Sequence, residues 1–226
     1  MEITKAVKPY TYHGVVFTEE KNDVLIADCP FCGKENHFHV NKTTSVFGCF
    51  RCNKNGNSLT FLAELYEQAK EQTTDEQLKQ LAERRGLPLI AIKRWDVAYD
   101  GKQFIMPVYS GEGPVCNLLV YQRGLEVWGT EGLPTSLFGL KQLRKVNSST
   151  PIYFCEGCWD TIALSWLLWR NKKPGVCLGT PGTVFKSEWA DYFSDKEELN
   201  VCTDNDTAGF KLRLTIQGTL NKSIHA

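Results

Sequence analysis

Short apolar runs separated by polar turns fill the first quarter of the chain, a pattern that is typical of small antiparallel strands. We predict strands at 23–28 (DVLIAD), 37–40 (HFHV) and 45–50 (SVFGCF). The apolar positions then change to helical spacing. One helix is predicted from Ser58, as its N-cap, through SLTFLAELYEQAK, and a second follows Thr74, which has capping-box spacing to a glutamine. These elements predict a small β region followed by helices.

The second half of the chain has a different pattern. Two apolar runs surround the turn sequence SGEGP within 103–124, which predicts a β-hairpin with a longer loop. After Thr150 strands and helices alternate. The predicted elements are a strand at 151–155, a helix at 159–170, a strand at 175–179, a short helix at 187–193, a strand at 199–204 and a helix that opens at Thr207. Such alternation predicts a mostly parallel sheet with ligands at the carboxyl ends of its strands. The fold class expected for the chain is therefore α+β.

Charge and cysteine content narrow the class of protein. The 26 basic and 26 acidic residues cancel, so contact with nucleic acid would depend on local patches. No apolar run is long enough to span a membrane, and the N-terminus lacks a signal-peptide core, so we expect a soluble protein of the cytoplasm. The nine cysteines are an odd number without a secretion signal, which favours reduced thiols and a metal over disulfides.

The most specific motif consists of two cysteine pairs. Cys29 and Cys32 form the first C-x-x-C, and Cys49 and Cys52 form the second after sixteen intervening residues. Four thiolates at this spacing close a tetrahedral zinc site around a β-ribbon. The alternative is four ordinary reduced core cysteines. The histidines between the pairs, at positions 37 and 39, are left out of the predicted ligand set because four thiolates fill a structural site.

Aromatic and basic residues interleave around the second cysteine pair. Phe38, Phe47, Phe50 and Arg51 lie close together in sequence, with three lysines nearby. Proteins that stack single-stranded bases combine these residue types. The alternative is that the phenylalanines form the small core of the ribbon, which we expect for at least two of them. Phe50 and Arg51 are the residues predicted to contact single-stranded DNA.

Carboxylates follow two predicted strands of the second half. Glu156 ends the strand PIYFC, and Asp204 and Asp206 follow the strand LNVC as Asp-x-Asp. In a parallel sheet both strand ends reach one edge, and converged carboxylates favour a hard cation such as Mg²⁺ with substrate phosphates. The alternative is that these residues are turn and helix-cap residues. Asp160 is expected in the first turn of the following helix.

A third C-x-x-C brackets Glu156. Cys155 and Cys158 have the spacing of a redox pair or of a second metal site. Their place at a strand end and a helix start favours a space-filling role instead.

The order of these motifs resembles one family. CPFC, HFHV, CFRC, GNSLTFL, QLAERRGL, FIMPV, YQRG, LFGL, FCEGCWDTIAL, LGT and TDNDTAGFK follow one another as in the bacterial DnaG-type primases and the primase half of phage primase-helicases. The resemblance covers nearly the whole chain, and its specific parts are the cysteine pairs and the Glu-Gly and Asp-x-Asp motifs. It implies an N-terminal zinc-binding domain, a tether and an RNA polymerase domain with a TOPRIM-type sheet.

The resemblance also implies domains. It predicts a zinc-binding domain at 1–70, a helical linker at 71–91, the N-terminal half of the RNA polymerase domain at 92–150 and a TOPRIM subdomain at 151–226. The chain ends twenty residues after Asp206, before a further strand that the family has. A fragment of a longer primase and an abbreviated catalytic sheet both stay open as explanations.

The implied activity is template-directed RNA primer synthesis. The resemblance implies that Glu156, Asp204 and Asp206 bind Mg²⁺ or Mn²⁺ and are the catalytic residues, and that the zinc is structural. It implies a single-stranded DNA template, ribonucleoside triphosphates and a replicative helicase as partners, in a bacterial cytoplasm or phage-infected cell. The family's basic residues before TOPRIM are missing from 126–140, so the nearest candidates for nucleotide and template contact are Arg123, Lys141 and Arg144, with Lys145 beside them.

Two other functions stay open beside primer synthesis. One is a single-stranded DNA-binding module that has lost polymerisation. The other is a different TOPRIM chemistry, such as a nuclease or a recombination mediator. In the mediator the zinc site lies close before TOPRIM, whereas over a hundred residues separate Cys52 from Glu156 here, which favours the primase.

Overall fold

The α+β class predicted from the sequence is confirmed in the structure, a computed structural model. It describes residues 3–111, 113–122, 126–182, 184–222 and 224–225. The chain divides into two units, 1–74 with 97–107 and 114–134, and 75–96 with 108–113 and 135–226. These units interleave along the chain, whereas the four predicted domains follow one another, and the predicted domain boundaries stay a prediction.

The first unit contains a small sheet between two helices. A 3₁₀ turn at Lys5–Val7 leads into helix α1 (Lys8–Tyr12), and helix α2 (Ser58–Gln72) follows the sheet. The strands pair antiparallel in chain order and are β1 (Phe17–Lys21), β2 (Val24–Ala27), β3 (Phe38–Asn41), β4 (Phe47–Cys49) and β5 (Asn55–Gly56). The three predicted strands are β2, β3 and β4, while β1 and β5 were not predicted.

Local side-chain chemistry sets the ends of these elements. Asn22 and Asp23 have φ of 48° and 62°, the left-handed values that a tight hairpin turn between β1 and β2 requires. Asn57 is the N-cap of α2, since its side chain accepts from Leu59 N at 3.0 Å and Thr60 N at 3.1 Å. The prediction of Ser58 as the cap was wrong by one residue, because Asn57 is the last residue with extended backbone and also caps well.

A second sheet completes the first unit. Its strands lie in chain order and are β6 (Ala98–Tyr99), β7 (Phe104–Tyr109), β8 (Val115–Tyr121) and β9 (Val127–Gly129). The two predicted apolar runs are β7 and β8. The buried Asn117 fixes the chain beyond β9, because its Oδ1 accepts from Thr130 N at 2.8 Å and its Nδ2 donates to Pro134 O at 3.0 Å.

The second unit contains the predicted parallel sheet. In chain order its elements are α3 (Asp75–Arg85), α4 (Leu89–Lys93), β10 (Ile152–Cys155), α5 (Cys158–Arg170), β11 (Val176–Gly179), a 3₁₀ helix (Ser187–Phe193), β12 (Leu199–Cys202) and α6 (Thr207–Leu220). The strand order is β11-β10-β12 and both pairings are parallel. Phe154, Leu178 and Val201, one from each strand, are buried in its core.

Two details of this unit bear on its sheet and its helices. Helix α3 follows Thr74 and ends before Gly86, whose φ of 63° supplies the left-handed stop that the sequence predicts. His225 extends the sheet beyond β12, since its N–H donates to Leu199 O at 2.9 Å and its carbonyl accepts from Val201 N at 2.8 Å.

None of the helices in the part of the chain that the structure describes has the length and apolar character of a membrane span.

Candidate functional site

The structure brings the four predicted zinc ligands together. The Sγ atoms of Cys29, Cys32, Cys49 and Cys52 all lie within 4.8 Å of one another. The Sγ atoms of Cys29 and Cys52 are 3.9 Å apart, as are those of Cys32 and Cys49. A tetrahedral zinc with bonds of about 2.3 Å separates its sulfurs by about 3.8 Å, and none of the four is in a disulfide. The four thiols therefore fit a structural zinc ion.

The two cysteine pairs sit on matching backbone turns. In the first, Gly33 N donates to Cys29 O at 2.8 Å and Cys29 N donates to Lys34 O at 3.0 Å. In the second, Asn53 N donates to Cys49 O and Cys49 N donates to Lys54 O, both at 2.9 Å. Gly33 and Asn53 have φ of 69° and 60°. The same backbone geometry at both pairs directs four sulfurs to one point.

The environment of the thiols differs between the pairs. Burial raises the pKa of Cys29 to about 12. Burial acts in the same direction on Cys49, but the N–H groups of Cys52 and Arg51 and the neighbouring thiols outweigh it, which lowers the pKa of Cys49 to about 7. Zinc requires thiolates, so the lowered pKa of Cys49 favours metal binding, whereas the burial of Cys29 opposes its deprotonation. Neither intervening histidine joins the cluster, and the half-buried His37 contacts Glu35 O at 2.9 Å instead.

The aromatic residues of the ribbon separate into core and surface. Phe38 and Phe47 are 0% and 2% exposed and pack on each other with ring centroids 5.2 Å apart. Phe50 is 81% exposed and meets His39 edge-on at 5.1 Å. Arg51 is exposed beside it. The expectation of a core role for two phenylalanines is met, and Phe50 with Arg51 is the pair that faces solvent.

The predicted carboxylates lie at the carboxyl edge of the parallel sheet. Cys155 of β10 is opposite Cys202 of β12, so Glu156 and Asp204 leave neighbouring strands at one edge. Glu156 Oε2 accepts from Asp204 N at 3.2 Å. Asp206 is the N-cap of α6, with its Oδ1 accepting from Gly209 N at 2.8 Å. The sequence left metal binding and capping open as alternatives, and for Asp206 one oxygen has the capping role.

The carboxylates are less closely gathered than the thiols. Among the residues that the structure describes, the four cysteines are the only group of three or more such side chains whose ligand atoms all lie within 4.8 Å of one another. Asp204 and Asp206 are exposed and Glu156 is half-buried. Mg²⁺ is held by one or two carboxylates plus water and substrate phosphates, so an open, oxygen-only edge fits such an ion. Asp160 is exposed in the first turn of α5, as expected.

Three residues that the sequence did not identify hold this edge in place. Thr180 Oγ1 is 3.2 Å from both Cys155 O and Glu156 O and 2.8 Å from Gly182 O, and Thr180 N donates to Cys155 O at 2.9 Å. A Cβ on Gly209 would lie 2.2 Å from Asp204 O, and one on Gly179 would lie 2.7 Å from the hydroxyl of Thr161. The LGT and TAGF sequences contain these residues, but their contacts depend on the folded chain: Thr180 and Gly209 meet backbone carbonyl groups, and Gly179 faces the hydroxyl of Thr161.

The basic residues predicted to contact nucleotide and template contact other parts of the protein where the structure describes their side chains. Arg123 lies outside the described residues. The Nζ of Lys141 is 4.3 Å from the ring centre of Tyr109. The guanidinium of Arg144 donates to Gly111 O, at 3.1 Å from Nη2, and to Gly113 O at 3.2 Å. Of the neighbouring Lys145 the structure describes the backbone alone. Lys141 therefore packs on the last residue of β7, and Arg144 packs on the loop that follows β7.

The third C-x-x-C has the properties of core residues. Cys155 and Cys158 are both buried. Burial raises the pKa of each to about 12, so both thiols are protonated at neutral pH. A redox pair or metal site needs an accessible thiolate, which this environment disfavours.

Comparison with known proteins gives matches in both halves of the chain. The family model for the CHC2 zinc finger matches residues 5–94. The crystal structure of the Aquifex aeolicus primase, with its zinc-binding and RNA polymerase domains, is similar with a TM-score of 0.54 and 14% identity over 95% of this chain and 74% of that one. The chain has the fold of a DnaG-type primase. A comparison with curated protein sequences gives no match.

Two further structures support the primase fold. A DnaG primase catalytic domain bound to single-stranded DNA has a TM-score of 0.53 and 16% identity over 71% of this chain and 66% of that one. A chain from the bacteriophage T7 lagging-strand DNA polymerase structure, which includes primase domains bound to an RNA/DNA hybrid and dTTP, has a TM-score of 0.51 and 21% identity over 63% and 75%. At these identities the likeness establishes the fold.

Proposed function

We propose that the protein is a DNA primase that synthesises short RNA primers on single-stranded DNA by metal-dependent nucleotidyl transfer. The observation that carries this proposal is the contact between Glu156 Oε2 and Asp204 N, which joins two carboxylate-bearing strand ends in a chain with the primase fold. The edge belongs to a sheet that we propose to be of the TOPRIM type. The proposed setting is the cytoplasm of a bacterium or of a phage-infected cell.

The carboxylates would hold Mg²⁺ or Mn²⁺ at this edge. Glu156, Asp204 and Asp206 offer oxygen ligands of the kind that both ions accept. These residues would place the charge of the ion beside the incoming triphosphate, where it would stabilise the charge that develops as a ribose 3′-hydroxyl attacks the α-phosphorus and pyrophosphate leaves. Asp206 anchors the N-terminus of α6 through Oδ1 and keeps its other carboxylate oxygen for this role. Glu156 stands at the strand end where it can orient the metal or accept the proton of the attacking hydroxyl.

The zinc ribbon would recognise the template. Phe50 and Arg51 are exposed on the turn that also carries Cys49 and Cys52, so the metal fixes the backbone that presents them. An aromatic ring stacks on bases and an arginine binds phosphate or a base edge. We propose single-stranded DNA and ribonucleoside triphosphates as substrates, with Lys141, Arg144 and Arg123 as further contacts, and a replicative helicase as partner.

A DNA-binding module without polymerisation is the second candidate. Two observations favour it. Arg144 uses its guanidinium on the loop carbonyls of Gly111 and Gly113, and Asp206 uses a carboxylate oxygen as a helix cap. Groups with such structural contacts have less freedom to hold a nucleotide. This candidate shares the ribbon with the primase and differs only in lacking synthesis.

One assay separates the candidates. The purified protein is incubated with single-stranded DNA, labelled ribonucleotides and Mg²⁺ or Mn²⁺, and the products are resolved by length. Short RNA products that disappear in Asp204→Asn and persist in the exposed control Asp191→Asn support the primase. Retained DNA binding without products favours the binding module, and cleaved DNA would identify a TOPRIM nuclease.

A further inference from the structure

A recess lies on one sheet of the first unit, and none of its lining residues belongs to the cysteine centre or the carboxylate edge. Its volume is about 430 Å³, within the range of small-ligand sites. It is lined by Tyr12, Gln103, Val120, Gln122, Glu126 and Trp128. Tyr12 ends α1, Val120 and Trp128 belong to β8 and β9, and the other three residues directly flank β7, β8 and β9, all within the first unit.

Trp128 gives the recess an open aromatic wall. It lies on β9, the last strand of the sheet, directly opposite Val120 of β8. Opposite residues of an antiparallel pair point to the same face, so the indole stands beside Val120 above the recess. Trp128 is 62% exposed. A side chain of this size usually buries most of its surface, and an exposed indole beside a recess offers a flat surface for stacking.

Polar groups surround this aromatic wall. Gln122 Nε2 donates to Oε1 of the buried Gln103 at 2.8 Å, which fixes two amides in the lining. Burial, together with the charge of Glu131, raises the pKa of Tyr12, so its hydroxyl stays protonated at neutral pH. The carboxylate of Glu126 lies two residues before Trp128 along the chain and is exposed. The lining thus offers amides, a hydroxyl and a hydrogen-bond-accepting carboxylate.

These groups select the chemistry of a ligand. The carboxylate of Glu126 in the lining repels phosphate. A planar, uncharged heterocycle that carries N–H donors suits an indole wall and a carboxylate acceptor. Nucleobases have this chemistry, and their exocyclic amino groups donate to carboxylates. The sugar and phosphates would stay outside, in solvent.

We propose that the recess binds one base of single-stranded DNA, stacked on Trp128, with its amino group donating to Glu126. Such a site would hold the strand at a second point in addition to the ribbon surface of Phe50 and Arg51. The proposal rests on the proposed function only in taking single-stranded DNA as the ligand. It does not require synthesis, so binding measurements test it directly.

The first test measures affinity. Fluorescence anisotropy with labelled oligodeoxynucleotides compares the wild type with Trp128→Ala and Trp128→Phe. We expect Trp128→Ala to weaken binding about tenfold, the loss that one stacked base contributes, and Trp128→Phe to recover most of it. The matched control is Trp169→Ala in the second unit, which is similarly exposed at 49% and should bind as the wild type does. The melting curve of Trp128→Ala should stay close to that of the wild type because this side chain is 62% exposed.

The second test measures which base is preferred, and whether the bound base belongs to a DNA strand or to a free nucleotide. Oligodeoxycytidine, whose bases carry an amino group, should bind more tightly than oligothymidine, and Glu126→Gln should reduce that difference. Free deoxycytidine monophosphate is titrated separately. If Trp128→Ala loses affinity for the oligonucleotides but not for the free nucleotide, the ligand is a base within a strand. A Trp128 effect that is larger for the free nucleotide would instead overturn the strand as the ligand.

The outcomes separate this proposal from the proposed function. Equal affinity of wild type and Trp128→Ala for all probes, with single-stranded DNA still bound, overturns the recess alone. Absence of any single-strand binding by the wild type overturns both. Photo-crosslinking of a 5-iodocytosine-substituted oligonucleotide gives an independent readout, and we expect the modified peptide to contain Trp128.

Discussion

The four-cysteine centre and the carboxylate edge are both candidate metal sites, but they are built differently. At the cysteines, two matching turns bring four sulfurs within 4.8 Å of one another, which completes the ligand set of a tetrahedral zinc. At the edge, Glu156 contacts a backbone N–H and Asp206 caps a helix. The first site holds all its ligands, whereas the second presents oxygens that a metal and substrate would complete.

The difference follows from what each metal requires. A structural zinc takes four protein ligands and excludes water, so the folded backbone must supply the complete set. Magnesium keeps several waters and takes substrate phosphates, so a complete protein cage would leave no place for the nucleotide. A closed thiolate centre therefore contributes to folding, and an open carboxylate edge is expected to contribute to chemistry with little effect on stability.

The largest difference between the two regions should follow loss of zinc. Cys49→Ser removes one ligand of a centre whose binding energy is on the order of 10 kcal/mol, so we expect the ribbon to unfold and zinc to be lost. Elemental analysis should give one zinc per wild-type chain and none in the variant.

Cys202→Ser is the matched control, because Cys202 is exposed and lies outside the cluster. It should retain zinc and the circular dichroism spectrum of the wild type. Unchanged zinc content in Cys49→Ser would contradict a four-thiolate centre.

Loss of charge at the carboxylate edge should reduce primer synthesis and leave the fold intact. Asp204→Asn and Glu156→Gln keep shape and remove the charge of a proposed metal ligand, so primer synthesis should fall roughly a thousandfold, equivalent to several kcal/mol of transition-state stabilisation. Asp206→Asn best separates metal binding from helix capping, because asparagine caps helices as well as aspartate does and α6 should stay folded. Primer yield is measured beside a melting curve, and synthesis at the wild-type rate by a folded Asp206→Asn would assign that residue to capping alone.

A smaller effect should come from the backbone that supports the edge. Gly209→Ala places a Cβ 2.2 Å from Asp204 O, so α6 or the Asp204 segment must move, at a cost of about 1–3 kcal/mol in stability. Gly218→Ala in the same helix meets nothing within 4 Å and should stabilise the protein by about 0.5–1 kcal/mol. Chemical denaturation of both variants measures these opposite signs, and destabilisation by both would show a general intolerance of α6.

The smallest effects are expected on the ribbon surface. Phe50→Ala or Arg51→Ala should weaken single-stranded DNA binding by about tenfold and reduce its sequence preference, without a change in melting or zinc content, since both side chains are exposed. Anisotropy titrations at fixed salt measure the loss, with the exposed Lys173→Ala as a control. Wild-type affinity in both ribbon variants would place recognition elsewhere.

Local patterns in the sequence predicted much of the fold. The strands β10, β11 and β12 are short apolar runs bounded by turns, and each was predicted because a buried parallel strand is apolar on both faces. Strand β1 was missed because four of its five residues are exposed, and β5 because it has two residues. Exposed or very short strands depend on their neighbours, which local periodicity does not describe.

The candidate sites show the same limit. The cysteine centre could be predicted because each pair is a local turn with its ligands three residues apart. The role of Thr180 could not, because its hydroxyl meets carbonyl groups of residues 155 and 156, over twenty positions earlier. The nucleotide contact of Arg144 stays a prediction, and its contacts with carbonyl groups of another loop could not be predicted from local sequence.

The close contact between Gly209 and the Asp204 backbone has a consequence for sequence divergence. Asp206 Oδ1 binds Gly209 N three residues ahead, while Gly209 packs against a carbonyl five residues behind. An insertion or deletion between Asp204 and Gly209 would break both contacts at once. Relatives with this edge should therefore align across these six positions without gaps, and a gap there would mark a lineage in which the edge has changed its use.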